Sequence, residues 1–286
     1  MEKMSRTLYI SDLDGTLLSS DSRVTDASAA MINTAIREGA LFSIATARTP
    51  STVAPIMSAI HSTLPYIVMT GAAFWEPSTG LFDHTVTIPP SEAEKILNIF
   101  IRQSLPVFIY CFRDGIIQVY HYGPLSPLER EFMTGRESRF KHFNISASGE
   151  SDIPSPLPPV LLFYSIQPAE KGRPVYEEIK AACDCNPLFY HDIYGDEIAV
   201  LEAFAPEATK AKGIERLRRA TGAGRVVAFG DNVNDIPMLQ EADVAVAVEN
   251  AIPEVKDMAD IVIGPNTEDS VARFILTDYR LSSHEI

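Results

Sequence analysis

Three short apolar runs in this chain end in polar strings of one design. Leu8-Tyr9-Ile10 leads into Asp12-Leu13-Asp14-Gly15-Thr16, Leu41-Phe42-Ser43-Ile44 into Ala45-Thr46-Ala47-Arg48, and Val226-Val227-Ala228-Phe229 into Gly230-Asp231-Asn232-Val233-Asn234-Asp235. Helical patterns separate them. Thr25 reads as the N-cap of a helix over Asp26 to Glu38 that Gly39 closes. Buried strands alternating with helices predict an α/β fold, a Rossmann-like parallel sheet with helices on both faces. Such sheets bind ligands at the carboxyl ends of their strands. All three polar strings fall on that edge, so the fold prediction already implies one shared site.

The residue types suggest what that site does. Asp12 and Asp14 are two residues apart where a strand enters a turn, so both side chains can approach one cavity. Such a pair can divide labour, one carboxylate attacking an electrophile while the other moves a proton. Gly15 lets the backbone bend, and Thr16 adds a hydroxyl. The Thr46 hydroxyl can donate to a phosphate oxygen, and Arg48 offers a planar cationic fork. A Thr at this place also suits a helix cap near Pro50. Asp231, Asn234 and Asp235 are hard oxygen donors of the kind Mg²⁺ prefers. Lys210, in Thr209-Lys210-Ala211-Lys212-Gly213-Ile214, opens an amphipathic helix.

In this order, the four pieces resemble the four motifs of the haloacid dehalogenase superfamily of phosphohydrolases, and in detail its Cof-like sugar-phosphatase branch. The segments Val244 to Ala251 and Ala259-Asp260-Ile261-Val262 are similar to that branch too. The resemblance implies a Mg²⁺-dependent phosphatase acting on small phosphorylated metabolites, sugar phosphates foremost. It implies Asp12 as the nucleophile and Asp14 as the acid and base. Thr46 and Lys210 would hold the phosphoryl group, with Arg48, Gly15 and Asn234 beside them. The metal ligands would come from Asp12, Asp14 (through its backbone carbonyl) and Asp231, with Asp235 and Asn234 supporting them. The chain departs from the usual pattern at Ala47, Thr70 and Ser270, none of which removes a catalytic group. Lys210 places Gly213-Ile214 in the usual register, and Lys212 is the alternative. A phosphotransferase or phosphomutase on the same scaffold, or a non-catalytic sensor of phosphorylated metabolites, stays open at this point.

Physics independently favours a cation here. Carboxylates gathered at one point repel by roughly 4 kcal/mol per pair at 4 Å and an effective dielectric near 20, which a metal and Lys210 would offset.

The net charge of −14 argues against nucleic acid or an anionic membrane as partner. No apolar run approaches the ~20 residues that span a bilayer, and Met1 to Arg6 carries no apolar leader. The three cysteines, Cys111, Cys183 and Cys185, make no disulfide framework, which points to the reducing cytoplasm. Nothing in the sequence indicates an oligomeric state.

At 286 residues the chain is long enough for two domains. The texture changes near Phe82. Phe82 to Ile88 alternates like a strand, and Ser91-Glu92-Ala93-Glu94 resembles a capping box for a helix ending at Arg102. Two strands flank Arg113-Asp114-Gly115 as a hairpin. Residues 141 to 159 read as loop, Val160 to Ile166 as a strand and Ala169 to Ala182 as a helix. The prediction is a discontinuous core, 1–82 with 191–286, and an inserted α+β cap with an antiparallel sheet over 83–190. The aromatic residues Phe108, Tyr110, Phe112 and Tyr120 read as core of that insert rather than as a sugar platform.

Overall fold

The computed structural model describes residues 6–191 and 197–284. Met1–Ser5 and Asp196, where the core pattern was expected to resume, lie outside the described residues. The chain divides into two compact units, residues 1–83 with 209–286, and residues 84–208.

The first unit is built on five parallel strands in the order Ile261–Ile263, Val244–Val248, Arg225–Gly230, Thr7–Ser11, Leu41–Ile44. Thr7–Ser11 is buried along its whole length, as a strand covered on both faces must be. Tyr9, Phe42 and Phe229 are among its largest fully buried side chains. Burying each removes apolar surface worth roughly 1.5–3 kcal/mol. The chain winds to one side of Thr7–Ser11 first and returns on the other through Arg225–Gly230, so a topological switch point falls between these two strands. The helix Asp26–Glu38 forms as read: the Thr25 hydroxyl accepts from Ser28 N at 2.9 Å, and Gly39 closes it at φ 114.

A short strand runs over Tyr66–Val68. It belongs to a separate three-stranded sheet with Ala73–Trp75 and Phe82–Thr85, and a single parallel bridge, Ala45 to Ile67, ties it to the main sheet edge.

The second unit carries six strands in the order Asn186–His191, Ile198–Phe204, Val160–Pro168, Val107–Arg113, Ile116–Tyr122, Lys141–Phe143. The hairpin turns through Asp114 and Gly115, both at positive φ, the geometry that matches strand twist. Here several expectations need correction. The second boundary falls at 208/209 rather than 190/191, because Ile198–Phe204 pairs between two strands of this sheet. Lys141–Phe143, read as loop, adds a short edge strand, and it pairs in parallel with Ile117–Val119. The helix ending at Arg102 begins at Pro90 with no capping box, since proline supplies its first turn. The box forms elsewhere, at Ser126 and Glu129 on the unforeseen helix Pro127–Met133. Phe108, Tyr110 and Tyr120 are buried, and the helix Ala169–Ala182 has the expected bounds.

Candidate active site

Register alone brings the acidic strings together. Ser11 pairs with Phe229 across the two central strands, and Asp12 N donates to Phe229 O at 3.0 Å. Asp12 therefore leaves its strand beside Gly230 and Asp231. On the other side Ala45 N donates to Ser11 O at 2.9 Å, so Thr46 emerges one strand away.

Lys210 joins the cluster from the helix Lys210–Thr221. Its Nζ donates to Asp12 Oδ1 at 2.6 Å and to Asp235 Oδ1 at 2.7 Å. All three groups are buried. Asp235 Oδ2 accepts from Asp231 N at 3.0 Å and from Asn232 N at 3.2 Å, so both its oxygens are committed. Thr16 Oγ1 donates to Asp231 Oδ1 at 2.7 Å. Carboxylate oxygens of Asp12, Asp231 and Asp235 lie within 4.8 Å of one another. Lys212 is exposed, with its Nζ 3.1 Å from Glu215, so Lys210 is the lysine at the centre.

Close packing explains two glycines. A Cβ on Gly15, which sits at φ +79, would lie 2.4 Å from Asp231 Oδ2; one on Gly230 would lie 2.6 Å from Asp235 Cβ. The turn after Asp12 closes onto Asp231 only because Gly15 has no side chain.

Charge in the cluster is unevenly balanced. Burial pushes the Asp12 carboxyl up to about 7, and Asp235 and Asp231 add to that while Lys210 opposes it. Burial also raises Asp231, against the hydrogen bond from Thr16. Burial alone would lower the Lys210 ammonium, but Asp12 and Asp235 hold it above its ordinary value. One cation faces three carboxylates, so the site carries an excess of negative charge that a hard dication would satisfy.

Asp14 takes a different partner. Arg48 grips it through two bonds, Nε to Oδ2 at 2.7 Å and Nη2 to Oδ1 at 2.5 Å. That bidentate contact raises the Arg48 pKa. Thr46 is buried, and its Oγ1 accepts from Arg48 N at 3.2 Å. Thr70 N donates to Thr46 O and Met69 N to Arg48 O, both at 3.0 Å. This seats the Thr70-Gly71-Ala72 turn against the Thr46–Arg48 backbone. Thr70 itself adopts φ 58, a left-handed conformation rarely taken by a branched residue.

The structure thus gathers Asp12, Asp231, Asp235 and Lys210 and pairs Asp14 with Arg48. Asn234 is exposed, and its side chain forms no hydrogen bond among the described residues. Sequence reasoning missed the ties that hold the turn after Asp12. Asn250 Nδ2 donates to Gly15 O and Asn266 Nδ2 to Leu18 O, both at 2.7 Å, while Asn266 N donates to Asn250 Oδ1 at 2.9 Å. The only signal was an asparagine at each of two strand ends.

Clustered acids and a buried lysine thus lie at the carboxyl edge of a parallel α/β sheet. The sequence matches the haloacid dehalogenase-like hydrolases over residues 9–275, and the chain belongs to that family. A segment of 50 residues is 62% identical to a pyridoxal phosphate phosphatase of Escherichia coli, covering 18% of each chain. The match is thus confined to about a fifth of that relative's length. A 5-amino-6-(5-phospho-D-ribitylamino)uracil phosphatase of Bacillus subtilis is 26% identical over 269 residues, covering 92% of this chain and 94% of the relative. The crystal structure of a haloacid dehalogenase-like hydrolase from Bacteroides thetaiotaomicron superposes with a TM-score of 0.74 at 21% identity, over 96% of this chain and 99% of that one. No described helix is long and apolar enough to cross a membrane.

Proposed function

We propose that this chain is a Mg²⁺-dependent phosphatase of small phosphorylated metabolites, sugar phosphates foremost, and that it works through an aspartyl-phosphate on Asp12. The observation that carries this reading is the Lys210 ammonium held between Asp12 and Asp235 beside Asp231. The residues fit a hard dication: three carboxylates converge with one cation to balance them. Asp12 and Asp231 would hold it with the main-chain carbonyl of Asp14. Asp235, both oxygens engaged, would orient Lys210 and the Asp231 loop. The metal when bound screens the approach of an anionic nucleophile to an anionic phosphate.

In the first step an Asp12 carboxylate oxygen attacks phosphorus. The bond from phosphorus to the ester oxygen breaks, and protonated Asp14 gives its proton to the departing alkoxide. In the second, Asp14 takes a proton from water as the water oxygen attacks phosphorus. The bond to Asp12 breaks, leaving inorganic phosphate and a free carboxylate. Thr46 and Lys210 hold the phosphoryl oxygens, and Gly15 keeps the turn close to Asp231. Arg48 must release Asp14 before either step, and a phosphate oxygen is the natural alternative partner for its fork. The names of the two similar phosphatases, acting on pyridoxal phosphate and on a phosphoribitylaminouracil, support a small phosphorylated metabolite as substrate. The three free thiols suit a reducing, cytoplasmic setting.

The test is phosphate release from a panel of sugar phosphates, pyridoxal phosphate and an activated aryl phosphate, with Mg²⁺ and with chelator, for wild type and Asp12→Asn. Metal-dependent release that vanishes in the variant supports the reading. Undiminished release from Asp12→Asn removes Asp12 as nucleophile.

A further inference from the structure

The second unit buries a lysine that the proposed chemistry does not use. Lys141, on the edge strand Lys141–Phe143, is 1% exposed. Among the described residues its Nζ has no carboxylate partner and no hydrogen-bond acceptor. Its neighbours are instead two rings, Phe143 with the centroid at 5.1 Å and Tyr110 at 5.8 Å. A second cation stands close by. The Arg136 guanidinium lies 4.1 Å above the Phe132 ring, again with no side-chain acceptor among the described residues. Phe132 in turn stacks on Tyr164 at 4.8 Å.

These residues share one face of the sheet. Lys141 pairs with Ile117 and Phe143 with Val119, which pairs with Tyr110, which pairs with Leu162. Two acids lie at this face: the buried Glu129 of the helix Pro127–Met133, 3.3 Å from His121 Nε2 and accepting from Gln167 Nε2 at 2.9 Å, and Glu202, which pairs with Tyr164 on Ile198–Phe204. Three strands separate that strand from Lys141–Phe143, about 19 Å at the usual spacing, too far to neutralise Lys141.

A buried charge without a partner is costly, and folded chains rarely keep one. Burial, reinforced by Arg136, pushes the Lys141 ammonium down to about 7. An apolar residue of similar length would fill the same space without that penalty. In a chain of net charge −14, two cations with no ion-pair partner among the described residues, beside an aromatic cluster, also form a local exception to the overall field. Their missing component is an anion.

We propose that Lys141 and Arg136 form a binding site for a carboxylate or phosphate group, with Tyr110 and Phe143 as its apolar wall. The anion is a free carboxylate or phosphate that this unit binds by itself.

The experiment measures binding. Metal-stripped protein, freed of chelator, is titrated calorimetrically with citrate, an anion that has no phosphate ester to hydrolyse. Without metal the carboxylate cluster of the first unit repels such a probe. Wild type should bind it, and Lys141→Met should bind at least about tenfold more weakly, the loss expected for a charged contact. Arg136→Gln, a change at a more accessible position, should weaken binding as well and carries the test if Lys141→Met fails to fold. Citrate binding that is absent in wild type, or equal in wild type and both variants, overturns the site. Because the binding measurement needs no turnover, it stands or falls separately from the phosphatase reading.

Discussion

Each unit buries a lysine, and the two could hardly be treated more differently. Lys210 is 3% exposed and Lys141 is 1% exposed, so desolvation acts on both. Lys210 lies between Asp12 and Asp235, which hold its ammonium above its ordinary value. Lys141 lies among rings with Arg136 beside it, and its ammonium falls to about 7. Burial pushes both amines down; what separates them is the pair of carboxylates that holds Lys210 up. In the first unit the lysine is one member of a set whose other members would be worse off without it. In the second, the protein would be better off without the lysine unless something binds it.

The largest expected effect is kinetic and confined to the first lysine's cluster. Asp12→Asn keeps the size of the side chain but removes the nucleophile, and turnover should fall by roughly 10⁴-fold or more. Single-turnover phosphate release measures this, and a loss under tenfold would dissolve the assignment.

The comparison itself predicts opposite signs for one kind of substitution. Lys210→Met leaves Asp12 and Asp235 buried without their cation and should cost about 3–5 kcal/mol of stability in chelator. Lys141→Met removes a charge that has no ion-pair partner among the described residues and should leave stability unchanged or raised. Denaturant unfolding of the two variants side by side decides it; destabilisation of equal size in both would erase the distinction drawn here.

The pH dependence follows from the same contrast. The unfolded chain keeps the Lys141 proton up to the ordinary lysine range, while the folded chain gives it up near 7. Between those limits the unfolded state binds more protons. Stability therefore climbs as pH rises from about 7, by at most roughly 1.4 kcal/mol per pH unit. Lys141→Met should flatten that part of the curve. A slope identical in wild type and variant would show that Lys141 is charged in the folded chain throughout.

Smaller effects sharpen the edges of the picture. Gly15→Ala forces a left-handed backbone on alanine and pushes a methyl toward Asp231 Oδ2, for a cost of about 1–3 kcal/mol. Its thermal midpoint should fall accordingly. Lys212→Ala, two residues from Lys210 on the same helix, should change stability by less than about 0.5 kcal/mol and leave turnover intact. A large loss in that variant would reopen the choice between the two lysines.

Much of this was legible before any coordinates. Strand-and-helix alternation, the Thr25 cap with the Gly39 closure, and polar strings at strand ends depend on neighbours in sequence, so local rules read them. The same rules placed Asp12, Asp14, Asp231 and Asp235 on one edge, because a parallel sheet presents all its carboxyl ends there. What local rules could not reach was pairing between distant segments. Ile198–Phe204 joins the second sheet, and Lys141–Phe143 closes its edge, because partners far along the chain accept them. Register favoured Lys210 over Lys212 but could not show it buried between two carboxylates, nor could spacing couple Arg48 to Asp14 or find Asn250 and Asn266 tying down the turn after Asp12. The sequence by itself determined the fold class and the kinds of chemical group at the sheet edge. Only the tertiary structure decided which lysine meets a carboxylate and which meets an aromatic ring, since that depends on burial and register, and both are properties of the assembled sheet.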